Sequence, residues 1–408
     1  MTATQLAPSR AEVAAAVPAA FGGEPLFDER VPMLRPALPE AAELLEHYAA
    51  LLGSGQITNG ATVRRLEQAA ARYLDVAECV AVSSCTSGLM LVERCLGLTG
   101  RVIVPSFTFF ATAHSLLWNC LEPVLVDCDP LTWNIDPVRV RRALERVPGV
   151  SAILAVHVFG NPAPAQELEQ IAQDAGVRLI FDAAHGFGAR RQGRSAGGWG
   201  DAEVFSLSPT KLLVAGEGGL VATQDPELAR ALRAARNYGD AGDYDCAVLG
   251  LNARMTEFQA ALALASLPLV EQHVERRNRV AAAYQSCLAG EPGIAFQQIR
   301  RDDRSSCKDF SVVFDEMRFG ATRQMIQSAL RLDHVETRRY FDPPLHRQRL
   351  YRRFYQPELD RLENTDAVSR GVLSLPIYPR MSVPDAARIA GRVLEIRDCI
   401  HSGGLPRT

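Results

Sequence analysis

Lysine is scarce in this chain, although positive charge is not. Two of the 44 basic residues are lysine, Lys211 and Lys308, and the other 42 are arginine. Arginine stays protonated and its guanidinium is a poor nucleophile, whereas a buried lysine can lose its proton and form an imine. Two surface lysines could also remain by chance. The composition therefore marks two candidate positions for lysine chemistry, and their surroundings must decide between these explanations.

Other absences argue against whole classes of protein. The 47 acidic residues nearly balance the 44 basic ones, which disfavours a nucleic-acid binder and an acidic disordered chain. The apolar run at residues 153–160, which already contains His157, falls well short of the roughly 18 residues that span a bilayer. Nine cysteines without a CxxC pair predict neither a disulfide framework nor a zinc ribbon. Ala11–Ala20 makes a poor secretory signal, so the predicted location is a reducing cytoplasm, with no membrane partner.

Short apolar segments alternate with amphipathic ones from about residue 79 onward. This pattern is typical of a mainly parallel sheet covered by helices on both faces, an α/β fold. We predict an N-terminal arm over 1–45 and a large domain over 46–265. Residues 266–408 would hold an interdomain helix and a smaller α+β domain. The predicted strands of the large domain are Cys79–Ser84, Arg101–Pro105, Pro123–Asp127, Ala152–Phe159, Arg178–Asp182, Glu203–Leu207 and Gly219–Thr223.

Helical periodicity predicts the elements between and after these strands. The long helical region Met255–Leu288 is expected to break near Pro268, and Phe310–Phe314 is a strand candidate. A basic helix is expected over 346–354. The other predicted helices are Leu89–Leu98, Thr108–Cys120, Pro137–Arg146, Ala165–Ala175, Pro226–Asn237, Thr322–Ala329 and Val383–Arg397.

Ligands of open α/β sheets bind beyond the carboxyl ends of the strands, and polar residues follow three of the predicted strands. The first strand leads into residues 83–88 (SSCTSG) and a helix. Backbone N–H groups and hydroxyls there could bind a phosphate, although Ser and Thr also cap helices without any ligand. Asp182 ends another strand, where a buried carboxylate needs a cation or hydrogen bonds. It could also simply cap the next turn, and His185 considered alone suits a structural role.

Lys211 lies in a loop after the next strand, shortly before residues 216–219 (GEGG). Together these groups suit pyridoxal 5′-phosphate (PLP), which needs a lysine, an anion beside the pyridine nitrogen, phosphate donors and an apolar face. Lys211 and Asp182 offer the first two. The turn 84–87 with Ser206 offers the third, and Phe109 the fourth. Four strand ends that each supply a different required group favour a PLP site over separate structural roles.

The chain resembles the DegT/StrS-type nucleotide-sugar aminotransferases, a branch of the fold type I PLP enzymes, over nearly its whole length. The resemblance implies the fold type I architecture, with a seven-stranded sheet, and a homodimer with shared active sites. It rests on motifs in the same order and spacing: 54–60 (SGQITNG), 83–88 (SSCTSG), 104–112 (VPSFTFFAT), 181–185 (FDAAH), 206–211 (SLSPTK), 216–219 (GEGG), 251–257 (LNARMTE) and 337–346 (TRRYFDPPLH).

The resemblance also implies roles for individual residues. Lys211 is expected to bind the cofactor aldehyde as an imine, and Asp182 to pair with the pyridinium nitrogen. Cys85 stands where the family often has Gly and is expected to pack beside the cofactor. The remaining implied cofactor contacts are Ser84, Thr86, Ser87 and Ser206 at the phosphate, Phe109 on the ring, His185 near the phenolic oxygen, and Asn252 at the phosphate of the neighbouring subunit.

The implied reaction moves an amino group from an amino acid, with L-glutamate as the expected donor, to a keto sugar. PLP and pyridoxamine 5′-phosphate would alternate, and no metal would take part. The expected acceptor is a nucleoside-diphosphate-4-keto-6-deoxyhexose. Carbon 4 is favoured because residues 97–106 and Tyr340-Phe341 are similar to those of 4-aminating members. The candidate substrate contacts are Lys308, Arg338, Tyr340 and His346.

Several alternatives remain open on the sequence alone. The acceptor could be a 3-keto sugar nucleotide or a cyclitol ketone (inosose). A non-catalytic PLP-binding regulator is disfavoured because it is expected to carry a separate signalling module. A nucleotide-dependent enzyme of another α/β family is disfavoured because the strand-to-helix turns show neither GxGxxG nor GxxxxGK[ST].

Overall fold

The computed structural model describes residues 17–404 of the chain. The first sixteen residues of the predicted arm, which include part of Ala11–Ala20, and the last four residues of the chain lie outside this range. Within it, no helix is both long enough and apolar enough to cross a membrane.

Strands and helices alternate through the first two thirds of the chain. The strands are β1 Glu78–Val82, β2 Arg101–Pro105, β3 Glu122–Val126, β4 Val150–Val156, β5 Arg178–Asp182, β6 Arg190–Arg191, β7 Arg194–Ser195, β8 Ala202–Ser206, β9 Gly219–Thr223, β10 Ile294–Phe296, β11 Asp303–Arg304, β12 Phe310–Phe314 and β13 Val372–Leu375. The helices are α1 Ala41–Ser54, α2 Ala61–Leu74, α3 Cys85–Cys95, α4 Phe110–Trp118, α5 Pro137–Arg146, α6 Ala165–Ala175, α7 Pro226–Ala235, α8 Glu257–Ser266, α9 Val270–Leu288, α10 Glu316–Phe319, α11 Arg323–Leu332, α12 Glu363–Gly371 and α13 Val383–His401.

A seven-stranded sheet forms the centre of the large domain, in the order β1-β9-β8-β5-β4-β2-β3. Strand β9 runs antiparallel to both of its neighbours, and the other pairs are parallel. Alternate side chains of β2 enter different cores. Val102 and Val104 pack with helices α3, α4 and α7, whereas Ile103 packs with α5 and α6 on the opposite face. The expected seven-stranded, mainly parallel α/β sheet is therefore confirmed.

Helix starts follow local sequence chemistry. Asp136 and Asp225 each precede a proline, and their carboxylates accept a backbone N–H of the first turn of α5 and of α7. Ser84 and Thr256 cap α3 and α8 in the same way, and the backbone N–H of each donates in return to the side chain of the third helical residue. These caps satisfy N–H groups that have no partner inside the helix, and they place the helix starts beside the strand ends.

The smaller domain has a three-stranded antiparallel sheet, in the order β10-β12-β13. Helix α9 packs along α13 beside this sheet, and their apolar side chains share one core. Residues 17–36, here called the N-terminal segment, also belong to this core, since Ala20 is fully buried in it. Asp333 accepts the backbone N–H of Leu26 at 3.1 Å, and Val31 bridges Val335. Residues 17–36 of the predicted arm therefore pack as part of the small domain.

Other expectations fail locally. Strand β4 ends at Val156, and Val158–Gly160 forms a 3-10 turn where the apolar run had suggested more strand. The basic helix expected over 346–354 is wrong. Two 3-10 turns, Leu345–Arg347 and Arg352–Phe354, stand there instead, because Gln348 between them adopts an extended conformation (ψ 145°). The expected break near Pro268 is confirmed by a 3-10 turn, Leu267–Leu269, between α8 and α9.

Candidate active site

A cavity of about 370 Å³ lies at the carboxyl ends of the parallel strands, where the large and small domains meet. Its wall contains ten of the fourteen residues that the sequence singled out, among them both lysines of the chain. These ten are Ser84, Cys85, Thr86, Phe109, Asp182, His185, Ser206, Lys211, Lys308 and Tyr340.

Lys211 stands in the loop between β8 and β9, where its backbone N–H donates to the carbonyl of Ser208 at 3.0 Å. Burial, together with the nearby Lys308 ammonium, lowers the pKa of its amine to about 8. A lysine with this pKa is partly a neutral amine near pH 8, which is the nucleophilic and basic form. The fold thus gives Lys211 a partly neutral, nucleophilic amine, which an arginine side chain could not supply.

Asp182 is the last residue of β5 and is 5% exposed. Its Oδ2 accepts a hydrogen bond from the Thr112 hydroxyl at 2.7 Å, and its Oδ1 accepts the Ala184 backbone N–H at 3.0 Å. Within residues 17–404, no basic side chain forms a salt bridge with this carboxylate. The two hydrogen bonds hold Asp182 toward the cavity and leave it without a cation, which suits a bound group that carries a protonated nitrogen.

The start of α3 forms another wall. The Ser84 hydroxyl accepts the Ser87 backbone N–H at 3.0 Å, and the Ser87 hydroxyl accepts the Ser84 N–H at 3.1 Å. Capping, which the sequence left open, is therefore what these two hydroxyls do here. Ser87 does not line the cavity, but Thr86 does. A Cβ on Gly219 would lie 2.7 Å from the Ser84 carbonyl carbon, so the GEGG motif allows β9 to approach this turn.

His185, Cys85 and Phe109 complete the predicted cofactor surroundings. Burial and the two lysines lower the pKa of His185 well below its ordinary value, so the imidazole is neutral, and its buried Nδ1 has no partner in the described chain. Burial and Asp182 raise the pKa of the Cys85 thiol, which therefore stays protonated and is not a nucleophile. Phe109 is 44% exposed, and the centroid of its ring lies 3.9 Å from that of Phe110.

Four predicted residues are not brought into this cavity. Besides Ser87, Asn252 is exposed and bridges Asn237 on the surface. Arg338 lines a neighbouring cavity of about 420 Å³ that shares Tyr340 with the first. His346 is 2% exposed, and its two ring nitrogens lie 2.8 Å from Ser106 Oγ and 2.9 Å from Asp366 Oδ1. It is therefore a structural residue here, and its predicted substrate contact has no support from its position.

Two residues of the site were missed. Thr112 lies inside the 104–112 motif, and its distance from Asp182 in sequence hid the hydrogen bond between them. Asp309 follows Lys308, and its carboxylate oxygens both lie 2.9 Å from the Lys308 Nζ. An acidic residue directly after one of only two lysines was the available signal for this pair.

Comparison with known proteins agrees with this geometry. The model of the DegT/DnrJ/EryC1/StrS aminotransferase family matches residues 39–394. The chain belongs to this family. Aminotransferases of the family are PLP-dependent, and this aminotransferase has their α/β fold.

Individual relatives match the aminotransferase along most of its length. It is 29% identical to dTDP-4-amino-4,6-dideoxy-D-glucose transaminase of Escherichia coli, over 90% of this chain and 99% of that enzyme. It is 34% identical to dTDP-3-amino-3,4,6-trideoxy-alpha-D-glucose transaminase of Streptomyces venezuelae, over 87% of this chain and 92% of that enzyme. The crystal structure of DesI in the presence of its TDP-sugar product superposes with a TM-score of 0.87 at 39% identity, covering 94% of this chain and 96% of DesI.

Proposed function

We propose that this aminotransferase binds PLP through Lys211 and transfers an amino group from L-glutamate to a nucleoside-diphosphate-4-keto-6-deoxyhexose. One observation carries the proposal: the Lys211 amine and the Asp182 carboxylate line the same cavity, beside the amino end of α3. The donor set fits the cofactor. It offers an amine of lowered pKa for the aldehyde, a carboxylate without a cation for the pyridinium nitrogen, and a helix start for the phosphate.

Bound PLP supplies an aldehyde for the exchange of amines and an electron sink for the loss of the substrate α-proton. Lys211 would hold this aldehyde, and its amine in the free form would accept and return the substrate α-proton at Nζ. Its pKa of about 8 suits both steps near neutral pH. Asp182, held by the Thr112 hydroxyl, keeps the proton on the ring nitrogen. The neutral imidazole of His185 could hydrogen-bond to the phenolic oxygen of the cofactor without adding a positive charge to the site.

The remaining contacts divide among the cavity walls. Thr86, Ser206 and the backbone N–H groups at the start of α3 would hold the phosphate, and Phe109 would cover the ring, since these residues line the cavity. Asn252 is exposed and outside its own cavity, which suits a contact with the phosphate of a second subunit in a homodimer. Asn252→Ala is then expected to weaken PLP retention in the dimer. Unaltered retention, or a monomer by sedimentation, would contradict this assignment.

Borohydride labelling tests the lysine assignment. The purified protein is expected to absorb as a Schiff base, and reduction should leave the cofactor on the peptide that contains Lys211. Lys211→Arg keeps the positive charge but should lose both the absorbance and transamination, because arginine cannot form the imine. Lys308→Arg is the matched control and should still be labelled at Lys211. A label on any residue other than Lys211 rejects the assignment.

The acceptor is tested by a half-reaction screen. The pyridoxamine form, prepared with glutamate, is mixed with keto-sugar nucleotides and inososes, and the return of the Schiff-base absorbance is followed. A dTDP-linked 4-keto-6-deoxyhexose is expected to react fastest, in line with the Escherichia coli relative. A 3-keto sugar nucleotide is the second candidate, because the Streptomyces venezuelae relative is named for a 3-amino product. Reaction with inososes alone would reject both nucleotide sugars.

A further inference from the structure

The second lysine of the chain forms a buried ion pair in the wall of the same cavity. The Lys308 Nζ lies 2.9 Å from each carboxylate oxygen of Asp309, and the two side chains are 5% and 1% exposed. Both residues line the cavity, at the start of β12 in the small domain. Lys308 therefore faces the site without being available to the aqueous surface.

The backbone holds this pair in place. The Lys308 N–H donates to the carbonyl of Phe159 at 3.0 Å, and the buried Arg277 donates to the Lys308 carbonyl at 2.7 Å. A pair anchored to both domains in this way loses little freedom when a ligand binds. Its geometry is thus set before any substrate enters.

The pair has hydrogen-bonding capacity left over. An ammonium has three N–H donors, and two lone pairs of Asp309 account for two of them. A carboxylate has about four acceptor positions. The two bonds from Lys308 are the only hydrogen bonds to this carboxylate within the part of the chain that the structure describes. Buried ion pairs are costly unless their remaining donors and acceptors are satisfied. A ligand that accepts a hydrogen bond from Lys308 and donates one to Asp309 therefore fits here.

The charge and the surroundings of this ion pair restrict the chemical class of ligand that it can bind. The pair is neutral as a whole, which makes it a poor site for a diphosphate or for the carboxylate of the amino donor. Arg338 and Arg339 line the neighbouring cavity, where each forms an ion pair with a carboxylate, Glu336 or Asp342. The Tyr340 ring stands 5.6 Å from the Lys308 Nζ, next to Phe341 in the same wall. An aromatic face beside one donor and one acceptor matches a sugar hydroxyl, which accepts and donates at the same oxygen.

We propose that Lys308 and Asp309 recognise one ring hydroxyl of the keto sugar, Lys308 donating to its oxygen and Asp309 accepting its proton. The inference rests on the proposed function and extends it to sugar selectivity. It also assigns Lys308 to the sugar ring rather than to the diphosphate.

The test compares dTDP-4-keto-6-deoxyglucose with analogues that each lack one ring hydroxyl. In the wild-type enzyme, kcat/KM for one analogue is expected to be on the order of a hundredfold lower, because two charge-assisted hydrogen bonds are lost. In Lys308→Met/Asp309→Leu, which removes both charges at similar volume, the ratio between the two sugars is expected to fall below about five. Asp309→Asn, which preserves volume, should lower the ratio about tenfold and serves if the double variant does not fold.

The control is Arg230→Met/Glu227→Leu on α7, which removes an exposed ion pair that does not line the cavity and should keep the wild-type ratio. Equal rates for all analogues in the wild-type enzyme would overturn the inference. An unaltered ratio in the double variant would also overturn it. If dTDP then inhibited that variant about tenfold more weakly than the wild-type enzyme, Lys308 would belong to the diphosphate site. Glutamate-driven pyridoxamine formation and turnover of the parent sugar report separately on the proposed function.

Discussion

Asp182 shows how one carboxylate is prepared for chemistry at the scale of a residue. It ends an apolar strand, is nearly buried, and is oriented by two hydrogen bonds. Asp182→Asn keeps the volume and one acceptor but removes the charge that holds the ring nitrogen protonated. We expect kcat to fall by about a hundredfold or more with little change in thermal unfolding. Thr112→Val, which removes only the orienting donor, should cost less. Near-normal turnover of Asp182→Asn would contradict its role.

Glu93 is a buried acid that no step of the mechanism uses. It is 1% exposed on α3, where it accepts hydrogen bonds from Ser115 at 2.6 Å and from Asn119 at 2.7 Å. Burial raises its pKa from 4.5 to about 7. The folded protein therefore binds a proton that the unfolded chain releases between these values. The free energy of unfolding falls as the pH rises through this window, by about 3 kcal/mol in all.

Glu93→Gln imitates the protonated acid and should remove this dependence. Its stability relative to the wild-type protein is expected to rise from nearly equal at pH 4.5 to about 3 kcal/mol greater above pH 7. Urea unfolding at pH 5 and pH 8 measures the difference. Glu145→Gln, at an exposed position of α5, is the control. A difference that does not vary with pH would show that Glu93 does not titrate in this range.

At the scale of elements, the close approach of β9 to the start of α3 shapes the proposed phosphate site. A methyl group on Gly219 would meet backbone atoms of Ser84 and Cys85 at 2.7–2.8 Å, so one of the two elements must shift. Gly219→Ala is expected to raise the dissociation constant of PLP about tenfold or more. Gly53→Ala in α1 has no heavy atom within 4 Å and serves as the control. Equal PLP affinity in both variants would show that this contact does not matter.

The same elements show what sequence patterns can predict. The bounds of β2, β5 and β9 were predicted to the residue, because a buried strand of a covered sheet is an apolar run bounded by polar residues. Contacts between distant residues leave no local pattern. The sequence could not show that Ser106 and Asp366 hold the ring of His346, which therefore looked like a substrate residue.

At the scale of the whole molecule, the N-terminal segment (residues 17–36) packs in the small domain, the chain then forms the large domain, and its last third returns to the small one. The N-terminal segment contributes Ala20 and Phe27 to the small-domain core. Deletion of residues 1–36 is expected to lower Tm by at least about 5 °C, because this apolar surface becomes exposed. Arg30→Gln, which removes only a surface ion pair with Glu336, should change Tm far less. An unaltered Tm after the deletion would contradict this role.

The cavity is likewise a product of the whole molecule, since Lys211 comes from the large domain and Lys308 from the small one. The motifs predicted the wall formed by the large domain well, because its groups follow the ends of sheet strands. The position of the small-domain wall, which contains Lys308, depends on how the two domains pack, and no spacing along the chain encodes that packing.

The enclosure of both lysines has a practical consequence for proteolysis. An endoproteinase that cuts only after lysine has two target bonds in the full polypeptide, and neither lies on the outer surface. Once the protein is denatured, complete digestion yields three fragments. Prior reduction of the cofactor adduct would block cleavage after Lys211 and leave two fragments. A single gel lane would therefore reveal what fraction of the protein carried the cofactor.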